Sequence, residues 1–258
     1  MNNTRIDDFL GGRLRIEQPV SGYRAGADAV MLAAACAAQD GDAVLELGCG
    51  AGVASLCLQA RVAGVSVTGV ERGAGFAELA RANAARNHSG MSVIRADLAD
   101  LPRELRERSF DHVMMNPPYF PSGTASPDRA RAEARHEDTP LAIWLDTALR
   151  RLRPGGTVTV IHLASRLSAL LEALQGRTGD IRILPIAARA GRDAGRVILS
   201  ARKNARGTLR LLAPFVMHAA AQHSADGEDL TDEAQAILRC AAGLNLDSPN
   251  ARDRIELL

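Results

Sequence analysis

The sequence of 258 residues is poor in aromatic side chains and in lysine. Aromatic residues make up only 3%, so a core must be built from Ala, Leu, Val and Ile. Lys203 is the only lysine, and we attribute this arginine bias to base composition rather than to one binding site. Because the formal net charge is only +1, whole-chain charge neither indicates nor excludes a nucleic-acid partner.

The four cysteines are too few and too scattered to predict a disulfide framework or a metal site. No two of them form a C-x-x-C pair, and no histidine lies at metal-ligand spacing from them. We therefore expect reduced thiols, no bound metal and a cytoplasmic protein. No apolar run reaches membrane-spanning length and the first ten residues are polar, so neither a membrane segment nor a secretory signal is expected.

Short runs rich in valine and isoleucine alternate with helical patterns from about residue 44 onwards. This alternation predicts an α/β fold with a mostly parallel sheet that is covered by helices on both faces. The predicted strands are 44–47, 65–70, 91–95, 110–115, 157–161, 181–184 and 196–201. The predicted helices run from the glycine cluster to about residue 62 and then over about 75–87, 141–152 and 167–175.

Two regions lie outside this alternation and divide the chain into three parts. We expect residues 1–40 to be an N-terminal segment that covers the ligand site, with a helix at 27–38, before a core at 41–202. Residues 203–258 are expected to form a C-terminal extension, packed on the core or trailing from it. This extension contains a possible strand at 209–212, a helix from about Thr231 and a loosely attached end at 245–258.

The segment 45–52 (LELGCGAG) is an apolar strand that runs into a G-x-G-x-G turn. Its glycines are Gly48, Gly50 and Gly52. They let the backbone turn tightly and approach a ligand, while the following helix points its N-terminus at that ligand. Glu71 ends the next predicted strand, where a carboxylate accepts hydrogen bonds from both ribose hydroxyls. With Glu46 inside the first strand, we interpret the pattern as a nucleoside cradle; a glycine turn needed only for packing is the alternative.

The segment 116–119 (NPPY) directly follows the fourth predicted strand. Asn116 supplies a side-chain oxygen, and Pro117 and Pro118 supply rigidly held carbonyl oxygens, because proline fixes φ and donates no amide. Two fixed acceptors bind an amino group, draw its nitrogen towards sp³ geometry and direct its lone pair at an incoming methyl group. Tyr119 is expected to stack on a planar substrate. The alternative is a strand terminated by proline, with Tyr119 packed in the core.

Both segments resemble motifs of one large class of enzymes. Residues 46–52 are similar to the first motif of Rossmann-like class I methyltransferases, and 116–119 resembles the N-P-P-Y signature of amino-group methyltransferases. The resemblance implies a seven-stranded sheet, S-adenosyl-L-methionine as cofactor, Asp97 on the adenine amino group and a Leu98 amide on the adenine ring. Asn116 would line the cofactor site as well as the acceptor site. For Asp97, a carboxylate that serves only its own loop is the alternative.

The segment 22–32 (GYRAGADAVML) indicates which group of methyltransferases the chain resembles. It is similar to the gating segment of bacterial small-domain methyltransferases. In length and layout the chain resembles the tRNA adenine-37 N6-methyltransferases that act on a valine tRNA, over about residues 22–201. This implies that Arg24, Gly26 and Asp28 lie over the cofactor, although Asp28 at a helix N-terminus also serves as a cap.

Two groups of basic residues are candidates for contacts with RNA phosphates. The first lies in the loop after the N-P-P-Y turn and the second at the start of the tail. Solvated surface is the alternative for both groups. The residues are Arg129, Arg131 and Arg135 in the loop, and Arg202 and Lys203 in the tail.

The sequence therefore predicts an N-methyltransferase dependent on S-adenosyl-L-methionine that acts on adenine N6 at position 37 of a tRNA anticodon loop. A protein glutamine N5-methyltransferase, an rRNA guanine N2-methyltransferase and a non-catalytic RNA-binding module remain alternatives. Glutamine methyltransferases carry a sizeable N-terminal helical domain, whereas about 40 residues precede the first predicted strand here. A DNA adenine methyltransferase is disfavoured, because no target-recognition domain is evident. Both a monomer and a homodimer remain open.

Overall fold

Strands and helices alternate along the chain and assemble into a mostly parallel sheet with helices on both faces. The computed structural model describes residues 3–118, 139–220, 229–248 and 250–257. The strands are β1 (Thr4–Phe9), β2 (Leu14–Pro19), β3 (Ala43–Leu47), β4 (Ser66–Glu71), β5 (Ser92–Arg95), β6 (Phe110–Met115), β7 (Leu152–Leu163), β8 (Thr178–Arg189), β9 (Ala194–Lys203), β10 (Arg210–Leu211), β11 (Phe215–His218), β12 (Gly243–Leu244) and β13 (Ile255–Glu256). The helices are α1 (Ala27–Ala35), α2 (Val53–Arg61), α3 (Ala74–Arg86), α4 (Arg103–Arg106), α5 (Leu141–Arg151), α6 (Leu167–Leu174) and α7 (Asp232–Cys240).

The order of the main sheet is β5-β4-β3-β6-β7-β9-β8, with β10 and β11 on the outer edge of β8. Within the described ranges only β9 runs antiparallel to its neighbours in this sheet. The predicted α/β class is confirmed, but the sheet has nine strands in the described ranges rather than seven. The two additional strands come from the tail, and they supply hydrogen-bond partners to the edge of β8 that a seven-stranded sheet would leave open.

Alternate residues of each central strand point to opposite faces of the sheet and fill two separate cores. In β6, Met114 belongs to the core beneath α1, α2 and α7, whereas Val113 and Met115 belong to the core beneath α5 and α6. The first core contains a high proportion of alanine from α1, and the second contains Phe110 and Trp144. The first core also contains Phe215, so the few aromatic residues are shared between the two faces, and small side chains from α1 pack closely in the first core.

The C-terminal extension folds against the first core. Helix α7 begins after Thr231, whose hydroxyl accepts a hydrogen bond from the Ala234 amide at 3.2 Å. Strand β12 pairs with β13 in an antiparallel ladder, and Leu246 is only 6% exposed. The expectation of a loosely attached end at 245–258 is therefore wrong for the described residues, because buried apolar contacts and a strand pair attach it.

Within the described ranges, no helix combines the length and the apolar character needed to cross a membrane.

Ile237 tests whether the extension folds cooperatively with the core. Its side chain in α7 is fully buried, so Ile237→Ala is expected to destabilise the protein by about 2–5 kcal/mol. Leu257→Ala is the control, because Leu257 is 76% exposed and its loss should change stability by about 0.5 kcal/mol or less. Urea denaturation measures both; equal, small losses would show that the extension is not part of the cooperative unit.

Candidate active site

The candidate residues meet where three parallel strands end side by side. Strand β3 pairs with β4 on one side and with β6 on the other, so that Leu47 lies opposite both Val70 and Met115. The glycine turn after β3, Glu71 at the end of β4 and Asn116 after β6 therefore leave the sheet at the same edge. Neighbouring strands lie about 4.8 Å apart, which brings these groups within reach of one small ligand.

The glycine turn fits tightly against α5 on one side and is open on the other. Gly48, Gly50 and Gly52 all have positive φ, at 68°, 53° and 86°. A Cβ atom on Gly48 would lie 2.5 Å from the Trp144 ring, whereas one on Gly50 would meet only Tyr23, at 3.8 Å. The turn thus requires glycine at its first position for packing, and it exposes backbone at its second position towards the site.

Glu71 is held by the glycine turn itself. One carboxylate oxygen accepts a hydrogen bond from the Gly50 amide at 3.0 Å, and the other accepts one from the Gly73 amide at 2.7 Å. These bonds fix the direction of the carboxylate at the end of β4. Because each carboxylate oxygen has a second lone pair, both can still accept a hydroxyl from a ligand.

Glu46 lies beneath the turn, where it is 3% exposed. It accepts hydrogen bonds from the amide (3.0 Å) and the hydroxyl of Ser55, in the first turn of α2. Burial raises the pKa of the Glu46 carboxyl to about 8, although the bonds from Ser55 oppose the shift. Its visible role is to satisfy an amide donor at the N-terminus of α2 and so to orient the helix that carries the turn.

Asn83, a fully buried residue of α3, ties the glycine turn to the N-terminal hairpin. Its amide nitrogen donates to the Ala51 carbonyl at 3.0 Å and to the Glu17 carbonyl at 2.9 Å. Its oxygen accepts from the Glu17 amide at 2.8 Å, and Arg86 pairs with the Glu17 carboxylate at 2.6 Å. One side chain therefore joins β2, α3 and the cradle.

The segment before α1 lies close to the turn. Desolvation and the negative charges of Glu46, Asp28 and Glu71 raise the pKa of the Tyr23 hydroxyl to about 12, so three carboxylates converge near this ring. Tyr23 also contacts the Phe76 ring edge-on, with centroids 6.3 Å apart.

The three residues expected over the cofactor differ in what they contact. Arg24 pairs with Asp7 of β1 at 2.7 Å, so its guanidinium is held by the hairpin. Gly26 is the residue before α1, and Asp28 in the first helical turn accepts a hydrogen bond from Arg196 of β9 at 3.0 Å. Asp28 thus links the N-terminal segment to β9 of the main sheet.

Asp97 and Leu98 follow β5, two strands from the glycine turn. One oxygen of Asp97 accepts from the Ala99 amide at 2.9 Å, and the other lies 3.6 Å from the Arg72 guanidinium. Leu98 is 8% exposed, and its carbonyl accepts from the Thr147 hydroxyl at 3.1 Å. This loop is anchored to α5, while the Asp97 side chain remains partly exposed.

Asn116 leaves β6 half-buried, Pro117 is buried and Pro118 is exposed. Because β6 pairs with β3, this turn begins at the sheet edge next to the glycine turn. The other candidates for acceptor and RNA contacts, Tyr119, Arg129, Arg131 and Arg135, lie outside the described residues.

The structure does not bring Arg202 and Lys203 to this edge. Since β9 runs antiparallel, its Arg196 lies opposite Leu163 at the end of β7, whereas Arg202 lies opposite Thr157 near the other edge. Six residues of strand separate the two ends, or about 20 Å. The Lys203 ammonium donates to the Leu152 carbonyl at 2.6 Å, and burial lowers its pKa. These two residues are therefore remote from the site. The sequence could not indicate this, because a run of apolar residues does not show the direction of its strand in the sheet.

Within the described ranges, no group of three or more His, Cys, Asp or Glu side chains is placed to hold a metal ion.

A family model described as the methyltransferase small domain matches residues 25–179, more than half of the chain. The chain belongs to the methyltransferase small domain family. The matched range begins two residues before α1 and contains the glycine turn and Asn116, which confirms the prediction of a methyltransferase.

The alignments of this small-domain methyltransferase with curated relatives cover most of the length of each relative. A protein named tRNA1(Val) (adenine(37)-N6)-methyltransferase from Porphyromonas gingivalis is 32% identical over 194 residues, covering 69% of this chain and 76% of the relative. A protein of the same name from Dickeya chrysanthemi is 31% identical over 196 residues, covering 74% and 77%.

Solved structures share the fold. That of a predicted O-methyltransferase from Agrobacterium tumefaciens has a TM-score of 0.66 at 28% identity, covering 81% of this chain and 94% of that one. A Thermus thermophilus 16S rRNA N2 G1207 methyltransferase, solved with AdoMet and guanosine, has a TM-score of 0.55 at 21% identity, covering 78% and 50%. The second likeness shows the fold alone.

Sequence reasoning missed four residues that shape the site of this methyltransferase. Trp144 packs against Gly48, Asn83 binds Ala51, and Ser55 and Arg196 hold two of the carboxylates. A single buried asparagine in an amphipathic helix has no signature in the sequence, because its partners are 32 and 66 residues away. Trp144 is the only tryptophan, which marks it as unusual without indicating its partner.

Asn83→Ala is expected to weaken the cradle. Loss of the bond to Ala51 should lower the affinity for S-adenosyl-L-methionine about fivefold, equivalent to about 1 kcal/mol, measured by calorimetry. Asn87→Ala is the matched control, since Asn87 bonds both backbone groups of Arg15 in the same hairpin but nothing in the glycine turn. Equal affinities of the two variants would show that Asn83 holds only the hairpin.

The buried carboxyl of Glu46 predicts a pH-dependent stability. Its pKa is raised from 4.5 to about 8 on folding, so the stability from its protonated form is full below pH 4.5 and is lost as pH rises through 8. Glu46→Gln should therefore raise the unfolding temperature relative to wild type more at pH 8.5 than at pH 5. The exposed Glu172→Gln serves as control, and a pH-independent difference for Glu46→Gln would contradict the assignment.

Proposed function

We propose that this methyltransferase transfers a methyl group from S-adenosyl-L-methionine to N6 of adenine 37 in the anticodon loop of a valine tRNA. The observation that carries the proposal is the adjacency of two strand ends. The Asn116-Pro117 turn after β6 lies beside the glycine turn after β3, with Glu71 on the other side. The names of the relatives from Porphyromonas gingivalis and Dickeya chrysanthemi support this choice of acceptor.

The residues around the glycine turn suit a nucleoside that carries positive charge. We assign the ribose hydroxyls to Glu71, whose carboxylate accepts from the Gly50 amide, and the adenine amino group to Asp97, one strand further along. Of the carboxyl groups near Tyr23, those of Asp28 and Glu71 complement the sulfonium and the ammonium of the cofactor. When bound, S-adenosyl-L-methionine supplies an electrophilic methyl carbon.

The Asn116-Pro117 turn supplies the acceptor half of the site. The side-chain oxygen of Asn116 and the proline carbonyl accept the two hydrogens of an amino group, so its lone pair points away from the base plane towards the cofactor. With S-adenosyl-L-methionine bound, this nitrogen would take the methyl group from the sulfonium, the sulfur would leave as a neutral thioether, and the nitrogen would release one proton to solvent. Fixed dipoles of this kind act mainly by lowering the barrier.

An anticodon loop fits this site, because its bases are unpaired. A single-stranded base is turned into a pocket at a cost of a few kcal/mol, far less than for a base inside a duplex. The same acceptor geometry also accommodates a guanine N2 or a glutamine amide.

The acceptor class is tested with radiolabelled S-adenosyl-L-methionine, total tRNA that lacks the modification, and a purified release factor. Nucleoside mass spectrometry then identifies the labelled base. Label in tRNA as N6-methyladenosine is the expected result. Label in the release factor alone would move the assignment to glutamine methylation, and label as N2-methylguanosine would move it to guanine.

Asn116→Ala and Glu71→Ala are expected to separate chemistry from cofactor binding. Asn116→Ala should lower the rate of methyl transfer by about 10²-fold or more with little change in cofactor affinity, because it removes a contact formed in the transition state. Glu71→Ala should weaken cofactor binding in calorimetry. Near wild-type turnover of Asn116→Ala, or unchanged affinity of Glu71→Ala, would remove that residue from its role.

A further inference from the structure

Arginine side chains gather at the carboxyl edge of the sheet on the side of β7, β8 and β9. Arg166 ends a short 3-10 turn (Ala164–Arg166) that follows β7 and packs beside β9. Arg192 lies in the turn between β8 and β9, where its amide donates to the Arg189 carbonyl at 3.2 Å. Arg196 lies near the start of β9, opposite Leu163.

Four arginines lie at this edge when Arg189 at the end of β8 is included. Two of them form ion pairs within the protein, and the other two are exposed. Arg189 pairs with Asp229 at 2.6 Å, and Arg196 pairs with Asp28 at 3.0 Å. Arg166 and Arg192 are both exposed, and no ion pair joins either of them to a carboxylate within the described ranges. The neighbouring Asp193 is also exposed, and within the described ranges it forms no ion pair with Arg192. Exposed, unpaired guanidinium groups can bind phosphate without first breaking an internal salt bridge.

The position of Arg166 and Arg192 relative to Asn116 follows from the sheet. Strand β6, which ends at Asn116, pairs with β7, and β7 pairs with β9. Two strand spacings correspond to about 10 Å across the sheet. Along the strands, Met115 is level with Leu199 of β9, so Arg192 lies seven residues of chain beyond the end of β6. The exposed arginines therefore lie on the acceptor side of this edge, beyond the acceptor turn and on the side away from β4 and β5.

Charge is divided across this edge of the sheet. On the cofactor side, β4 ends at Glu71 and Asp97 follows β5, whereas on the acceptor side Arg166 follows β7, Arg189 ends β8 and Arg196 lies near the start of β9. The buried His162 adds no charge to the basic half: burial, and then the nearby Arg166 and Arg196, lower its pKa to about 4. A cationic cofactor suits the first half, and a polyanionic backbone suits the second.

We propose that Arg166 and Arg192 bind backbone phosphates of the RNA that flank the target nucleotide. The inference rests on the proposed function, since it names the surface by which the same site receives its RNA. Phosphate contacts of this kind set the register of the strand so that one base reaches the acceptor turn. Arg202 and Arg206, at or near the opposite edge, are not part of this surface.

The test compares two matched double variants of the full chain, Arg166→Ala/Arg192→Ala and Arg202→Ala/Arg206→Ala. Each removes two exposed arginines that make no ion pair in the described ranges, so both change the net charge equally. Affinity for unmodified tRNA is measured by fluorescence anisotropy over a range of salt concentrations. Affinity for S-adenosyl-L-methionine is measured by calorimetry, and it should not change in either variant.

For the first variant we expect tRNA affinity to fall by roughly tenfold. The slope of log K against log salt should become shallower by about 1.4, since each lost contact with a single strand contributes about 0.7. The KM for tRNA should rise with little change in kcat. The second variant should retain the wild-type slope. Equal effects of the two variants, or a larger effect of the second, would overturn the inference.

The same assays separate this inference from the proposed function. If wild type labels tRNA but the first variant keeps the wild-type salt slope, the inference alone is overturned. If wild type labels no tRNA, the proposed function is overturned, and the comparison of salt slopes still decides whether this surface binds RNA.

Discussion

The pairing of β3 with β4 on one side and β6 on the other is the constraint on which the site depends. Parallel strands end at the same edge, so the residues after three strands that are far apart in sequence become neighbours. The glycine turn, Glu71 and Asn116 are each the consequence of where one strand stops. A shift in the register of β6 by one residue would exchange its two faces and would displace the acceptor turn from the cradle.

Polar side chains then hold this edge in place from below and from the flank. Glu46 accepts from Ser55 beneath the turn, Glu71 accepts from Gly50 at its rim, and Asn83 connects Ala51 to the N-terminal hairpin. Each bond is made to backbone or to a buried group, where an unsatisfied partner costs about 1–3 kcal/mol. The cradle is therefore organised before any ligand binds, which reduces the ordering that binding must pay for.

The sequence predicted the α/β class, the central strands and the segments that form the edge, because glycine turns and strand-terminating prolines are local signals. It predicts a possible strand at 209–212, where β10 lies, but it could not predict the four-residue strand β11 or the pairing of both strands with β8. It also could not indicate strand direction, and antiparallel β9 carries Arg202 and Lys203, two predicted RNA contacts, to the opposite edge. Conversely, no sequence pattern indicates Arg166 and Arg192, because only the sheet brings the ends of β7 and β8 to the same edge as the end of β6.

In the proposed function, the Asn116-Pro117 turn receives an unpaired adenine at position 37 beside the cofactor cradle. The most direct measurement is methyl transfer, at equal concentrations, to an unmodified valine tRNA transcript and to the same transcript with adenine 37 replaced by guanine. We expect one methyl group per transcript, on adenine 37, and no transfer to the guanine transcript. Equal transfer to both transcripts would contradict this assignment, because the acceptor would then be another base, or guanine N2 as readily as adenine N6 at position 37.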